Sequence, residues 1–362
     1  MKINRFTVSF EQQDMHFLKK YGPFKAASMV KKHYKKHYKK HKTPFINDTY
    51  QLASALGTLR KVLFDLSKNS RKHYKLLMLR KKNGKIRYIH APDNDLKYAQ
   101  SRILKNILEY IEISPYATAY VTGKNLKDNA IPHINHKYLL KMDITDFFGS
   151  ITYLQVISSA FNSKRFPVQI GAILTSLCCL DDVLPQGAPT SPALSNIVMK
   201  KFDDIIGDWC KKRNISYTRY CDDLTFSADI PLYNVYVKVK DMLEKRGFEV
   251  NEEKTKFITN SANQRVTGLT VNEKVSIPRD YKKELRQEVY YAIKYGLADS
   301  IIKGNKTRYI NHGEPNVHSY FSHLKGKMFY VLQIEPENKW FKGATQMLSD
   351  KYSHEAKRTQ CT

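Results

Sequence analysis

Ile215-Ser-Tyr-Thr-Arg-Tyr220-Cys221-Asp222-Asp223-Leu-Thr-Phe-Ser227 is the stretch whose reading decides the fold. Two β-prone runs meet at a tight turn, which makes a hairpin with paired carboxylates at its tip. A second apolar run, Tyr138-Leu-Leu-Lys-Met-Asp143, reads as a buried strand ending at Asp143, and Asp146 is expected to open the helix that follows. Three carboxylates gathered from two strand ends suit a pair of Mg²⁺ ions, which stand roughly 3.5–4 Å apart in sites that perform in-line displacement at phosphorus. Asp143, Asp222 and Asp223 are therefore the candidate catalytic residues and metal ligands. Adjacent acids alone say little. Asp203-Asp204 falls in a helical pattern and Asp181-Asp182 in a loop, and each is expected to be an ordinary solvated pair.

Between the two strands, helical segments near 153–162 and 167–180 precede the loop Leu184-Pro-Gln186-Gly187-Ala-Pro-Thr-Ser191-Pro192. Three prolines stiffen this loop, Gly187 lets backbone approach a ligand closely, and Ser191-Pro192 opens a helix running to about Arg213. Gln186 offers its amide to a nucleotide or a base. After the hairpin, a helical pattern over 233–246 stops at Gly247 and leads into Phe248-Glu-Val-Asn-Glu-Glu-Lys254-Thr. Strand, helix, hairpin, helix and strand in that order outline a split βαβ sheet of the ferredoxin-like plan, an α+β architecture.

Upstream, Asn47-Asp48-Thr49 offers a helix cap, with Leu52, Leu56, Leu59 and Leu63 at helical spacing behind it. Residues 76–90 read as a second hairpin turning at Asn83-Gly84, with Lys85 and Arg87 on one face of its second arm. Such a pair can clamp a triphosphate, and basic residues on an exposed strand can equally serve to discourage edge pairing. An amphipathic helix follows over 95–111. Downstream, 266–277 reads as another hairpin. From Pro278 the pattern is helical and basic, with Tyr290, Tyr291, Phe321, Phe329 and Tyr330 interspersed.

The 362 residues carry 61 Lys and Arg against 34 acids, a net charge of +27, and such an excess binds polyanions. Residues 1–44 alone hold twelve basic residues against two acids, and Lys31 to Lys42 repeats Lys-Lys-His-Tyr. Seven lysines in that run repel a metal ion, so the expectation is an arm that grips phosphates. Five cysteines show neither disulfide nor zinc spacing, and no stretch approaches eighteen apolar residues. A cytoplasmic protein without membrane association is expected.

In the order of these motifs, from about Leu52 to Ile277, the chain resembles a reverse transcriptase, and most of all the bacterial retron enzymes. The resemblance implies a right-hand polymerase fold: a basic helical extension (1–70), fingers (71–136, with part of 150–200 interleaved), a ferredoxin-like palm (137–277) and a helical thumb (278–362). It implies that Asp143 and the Tyr-x-Asp-Asp acids bind two Mg²⁺ ions, that Phe148 is the steric gate against a 2′-hydroxyl, and that Gln186 lines the nucleotide pocket. Lys85 and Arg87 match the contacts of the fingers to the dNTP triphosphate, and Lys254 a lysine that assists pyrophosphate departure. Retron enzymes also carry Asn-Ala-x-x-His, met by Asn129, Ala130 and His133, and a later Val-Thr-Gly, met by Val266, Thr267 and Gly268; both are expected to serve RNA binding. Cys221 stands where those enzymes usually have alanine. A retron enzyme copies its own structured non-coding RNA, starts from a guanosine 2′-hydroxyl, leaves a branched RNA-DNA product, and works beside an effector protein in defence against phage. The residues themselves leave open a different bacterial reverse transcriptase, or a polymerase-like scaffold that only binds RNA and restrains an effector.

Overall fold

The computed structural model describes residues 44–80, Gly84 and 86–360, with side chains to Ser353. The basic arm and Lys85 lie outside the described residues. In chain order, α1 (Thr49–Leu56) and α2 (Arg60–Lys68) precede the ribbon of β1 (Tyr74–Arg80) and β2 (Ile86–Pro92). Then come α3 (Asn94–Asn106), the short α4 (Leu126–Ala130) and β3 (Tyr138–Asp143). Helices α5 (Tyr153–Ser159), α6 (Val168–Cys178) and α7 (Ser191–Lys211) lead to the hairpin of β4 (Ser216–Tyr220) and β5 (Asp223–Ala228). After α8 (Tyr233–Glu244) and β6 (Lys256–Thr259), two two-residue strands, β7 (Arg265–Val266) and β8 (Leu269–Thr270), complete the β-rich part. The rest is helical: α9 (Arg279–Tyr295), α10 (Leu297–Lys303), a small β9–β10 hairpin (Ile310–Asn311, Glu314–Pro315), α11 (Val317–Ile334) and α12 (Lys339–Gln360).

The chain forms two compact units, one running through Lys124 and resuming over Leu140–Phe257, the other made of Asn125–Leu139 and Ile258 onward. The four-stranded sheet has the order β4-β5-β3-β6. That is the order the split βαβ plan requires, since β3–α7–β4 and β5–α8–β6 interleave. β5 is buried along almost its whole length and β3 at four of six positions, as befits strands inside a sheet covered by helices. Tyr217 and Phe226 stack across the β4–β5 pair at 4.7 Å.

Local chemistry explains where the elements stop. Asp48 caps α1 by accepting from the Tyr50 and Gln51 amides at 2.9 and 2.8 Å. The leucine spacing of 52–63 predicts one helix, but Gly57 at φ +66° ends α1 and a second helix starts at Arg60, leaving Leu59 74% exposed. Asp146 does not open a helix either. It sits at φ +42° in a turn, where its carbonyl accepts from Ser150 N, and the capping box is made by Thr152 with Gln155 at the start of α5. In the ribbon, Arg80 pairs with Ile86, the last pair among the described residues, and of the expected Asn83-Gly84 turn only Gly84 is described.

The second unit holds its own core. Val289 and Ala292 of α9, Leu297 and Ile301 of α10, Leu324 and Met328 of α11, and Phe341 and Leu348 of α12 close over Val266, Leu269, Val271 and Ile277, together with Ala130 and Leu139 from the upstream segment. Among the described residues no helix is long and apolar enough to cross a membrane.

Candidate active site

β3 ends at Asp143, a residue 7% exposed. Its backbone is tied on both sides. The Asp143 carbonyl accepts from Asn251 N at 2.8 Å, and the next amide, Ile144 N, donates to the Asp222 carbonyl at 3.1 Å. The strand end that carries the first acid is thus hydrogen-bonded directly to the hairpin tip that carries the other two. Asn251 also caps a 3₁₀ turn, Glu252–Lys254, which brings the Lys254 ammonium onto Asp143 at 2.7 Å from Oδ1 and 2.9 Å from Oδ2.

Charge in this cluster is shared. Burial first, then the neighbouring charges of Asp222 and Asp143, push the Asp223 carboxyl above its ordinary value, while Lys141 and Lys254 pull the other way. The hydrogen bond to Asp143 raises Lys254 above the usual lysine value against a partial burial cost, with further help from Asp143, Asp222 and Asp223. Lys254 therefore feels all three carboxylates.

Among the described residues no three His, Cys, Asp or Glu side chains stand together as a finished metal cage. Three like charges repel one another and have no reason to close up without a cation between them. The donor set nonetheless fits divalent metal: the ligands are hard carboxylate oxygens on adjoining backbone, and a cation, the lysine ammonium, already rests against them.

The hairpin tip is held from behind by a buried network that sequence reasoning missed. β4 and β5 are joined by a two-residue turn, Cys221-Asp222, with Cys221 at φ +61°. For a non-glycine residue that conformation costs about 1–2 kcal/mol. Arg219, fully buried, donates from Nη1 to the Cys221 carbonyl at 2.9 Å. Its Nε and Nη2 grip Asp203 at 2.6–3.1 Å, Nη2 also donates to Asn196 Oδ1, and Tyr217 donates its hydroxyl to Asp203 at 2.8 Å. Tyr120 adds a contact from its hydroxyl to Cys221 Sγ at 3.5 Å. Asp203 is thus no solvated acid, and that expectation is corrected: it is fully buried because α7 turns positions 196, 199, 203, 206 and 210 inward. The same periodicity was visible in the sequence. Asp204 behaves as expected of a surface acid, pairing with Lys200 at 2.7 Å, and Asp181-Asp182 is an exposed pair at positive φ.

The remaining candidates lie on separate elements of the same unit. Gln186 is half-buried, and its carbonyl accepts from His90 N at 2.9 Å, joining the proline-rich loop to β2. Gly187 makes that junction possible. At φ +130°, a Cβ there would stand 2.6 Å from the His90 carbonyl oxygen. Arg87 is exposed on β2 opposite Leu79. Phe148 is half-buried and packs on Phe147 at 5.6 Å, with Phe147 itself against Phe248.

In the second unit, the two retron-like motifs meet each other. Asn129 donates to Thr267 Oγ1 at 3.4 Å, and Ala130 and Val266 belong to one core. Asn129, Ala130, His133 and Val266 are buried, so their side chains shape the unit. Thr267 and Gly268, at φ +45° and +83°, form the two-residue turn of the β7–β8 hairpin, the conformation that suits the twist of paired strands.

Residues 79–273 match the family model for reverse transcriptase (RNA-dependent DNA polymerase). The retron Mx65 reverse transcriptase of Myxococcus xanthus is 31% identical over 305 residues, which cover 79% of this chain and 67% of that one. The retron Ec86 and retron Ec83 reverse transcriptases of Escherichia coli are 33% and 35% identical over 255 and 292 residues, covering 68% and 75% of this chain and 79% and 87% of theirs.

Proposed function

From the premise that the chain belongs to the reverse transcriptase family and to its retron members, RNA-directed DNA polymerases of right-hand fold, we propose that it copies its own structured non-coding RNA into DNA. In this reading synthesis starts from a guanosine 2′-hydroxyl and gives a branched RNA-DNA product, and the enzyme acts in the cytoplasm with an effector protein against phage. Residues 71–136 serve as fingers, 137–277 as palm, 278–362 as thumb, and the basic 1–70 extension grips RNA.

The observation that carries the reading is the tie between Ile144 N and the Asp222 carbonyl, with Lys254 bonded to the Asp143 carboxylate beside it. Asp143, Asp222 and Asp223 would hold two Mg²⁺ ions. When bound, those ions supply charge stabilisation to the attacking oxygen and to the departing pyrophosphate. The primer hydroxyl oxygen bonds to the α-phosphorus of the dNTP, the bond to the β-phosphate bridging oxygen breaks, and the hydroxyl proton leaves to solvent. Lys254 supplies a proton or a charged hydrogen bond to the leaving pyrophosphate. Lys85 and Arg87 hold the triphosphate, Gln186 lines the base pocket, and Phe148 stands against a 2′-hydroxyl on the incoming sugar.

The test is purification of the chain with its bound nucleic acid. A DNA strand whose attachment to RNA survives denaturation and is released by a 2′-5′ debranching activity is expected; DNA with no such linkage would refute the priming step, and absence of DNA in the parent would refute polymerisation. The Asp222→Asn, Asp223→Asn double variant should carry RNA alone. Retention of the DNA strand there would remove these acids from catalysis.

A further inference from the structure

A half-open cavity in the second unit has no part in the scheme above. Helices α9, α10 and α11 line a cavity of about 520 Å³, within the range of roughly 300–1,000 Å³ usual for small-ligand sites. Two of its walls carry buried hydroxyls, Ser300 Oγ and Tyr320 OH, neither of which has a hydrogen-bond partner. Tyr320 is 1% exposed. Buried polar groups are nearly always satisfied, so two orphans on one cavity point to something that satisfies them when present.

The walls also say what kind of molecule fits. Tyr291 and Tyr295 stand at the mouth, exposed, with rings stacked at 5.9 Å. Inside, charge is already matched: Glu288 is held by Lys306 at 3.0 Å and by Lys327 at 2.9 Å, and Asp299 by Lys303 at 3.2 Å. A phosphate has no unshared cation to meet within the cavity, and a cation has no unshared acid among these. A neutral, flat ring bearing both donors and acceptors suits the two hydroxyls and the aromatic mouth. Outside, Lys294 lies 5.1 Å from the Tyr295 ring, placed for a phosphate that stays in solvent.

We propose that this cavity captures an unpaired nucleobase, stacked at Tyr291 and Tyr295 and hydrogen-bonded by Ser300 and Tyr320, while its phosphate remains on Lys294 at the mouth. The base belongs to a strand turned out of its stack or to a free nucleotide, since the chemistry presented to the cavity is the same. The site requires no catalytic carboxylate and no metal.

The full chain, in chelator so that no synthesis occurs, is titrated with a short single-stranded RNA carrying one fluorescent purine that is quenched on stacking, and separately with the same purine as a free nucleoside monophosphate. Quenching by the RNA alone assigns the site to a strand; quenching by the monophosphate as well extends it to free nucleotides. Tyr295→Ala should weaken the quenched complex by roughly tenfold. Tyr320→Phe, which keeps the ring and its packing, should weaken it to a lesser degree, with the melting temperature of the protein unchanged. A photoreactive uridine in the same RNA should crosslink within residues 284–320. Quenching equal in the parent and both variants, no quenching with either probe, or crosslinks confined to other segments would each overturn the assignment.

Discussion

Arg219 donates to the backbone carbonyl of Cys221 at 2.9 Å while the rest of its guanidinium is clasped by Asp203. The pair is wholly buried, so its two charges are each other's solvent. Such a pair adds little net stability, yet breaking one side leaves an uncompensated charge and costs about 3–5 kcal/mol. Asp203→Asn should therefore lower the urea midpoint of unfolding sharply. Arg219→Lys keeps the charge and loses the fork, and should reduce DNA synthesis further than its stability loss explains. A variant with full synthesis would show that the hairpin turn holds its shape unaided.

Lys254 is placed to serve the leaving group, so Lys254→Ala should cut kcat by about 10²-fold or more while the KM for dNTP changes little. Equal loss in kcat/KM through KM alone would make it a binding residue. Lys254→Arg keeps the charge on Asp143 and should retain part of the rate.

Replacing Phe148 by Val should admit ribonucleotides. One side-chain contact in a pocket discriminates by roughly 10–200-fold, and the incorporation ratio of dNTP to rNTP should fall within that range, read from primer extension. An unchanged ratio would move the gate elsewhere.

His133 makes stability depend on pH. Burial, with a smaller contribution from His136, holds its imidazole down to about 3, whereas the unfolded chain titrates it near 6.5. Below about pH 6.5 the unfolded state binds a proton that the folded state refuses. Stability conferred by the neutral ring is therefore complete above 6.5 and falls as pH drops toward 3, by up to roughly 1.4 kcal/mol per pH unit. His133→Gln, which cannot titrate, should flatten the denaturation midpoint between pH 6 and 4, a window set by the two pKa values above. A slope identical to the parent's would place the acid sensitivity in other groups.

Gly187→Ala should loosen the proline-rich loop from β2. The added Cβ meets the His90 carbonyl and the Ile89 side chain, and φ +130° is strained for any side chain. Synthesis should fall while the second unit keeps its hydrogen-exchange protection; unchanged synthesis would mean that the loop does not need the His90–Gln186 hydrogen bond.

Much of the first unit was legible because period and punctuation agree there. The runs at 138–143 and 215–227 are too apolar and β-branched to be anything but buried strands, and Pro192 and Gly247 mark helix ends. Four features escaped for physical reasons. Gly57 breaks a leucine pattern that continues beyond it, because spacing alone does not register a left-handed residue. Asp146 has the chemistry of a helix cap but spends it in a turn. Arg219 and Asp203 lie sixteen residues apart on different elements, and a charged side chain reads as solvated until its partner is known. The turn role of Thr267 and Gly268 was likewise hidden, since the triplet also occurs at 121–123 without forming a hairpin of this kind.

The division of the chain has a practical corollary for anyone wishing to cut it. The helical unit is not a contiguous C-terminal piece: it borrows fifteen residues, Asn125–Leu139, from the middle of the sequence, and with them Ala130 and Leu139 of its interior and the Asn129 amide on Thr267. A stop codon after Phe257 would strand that loan with its apolar side chains in water, and an isolated fragment beginning at Ile258 would lack a wall. Neither half can be made by truncation alone; separating them calls for a rearranged gene in which residues 125–139 travel with the helical unit.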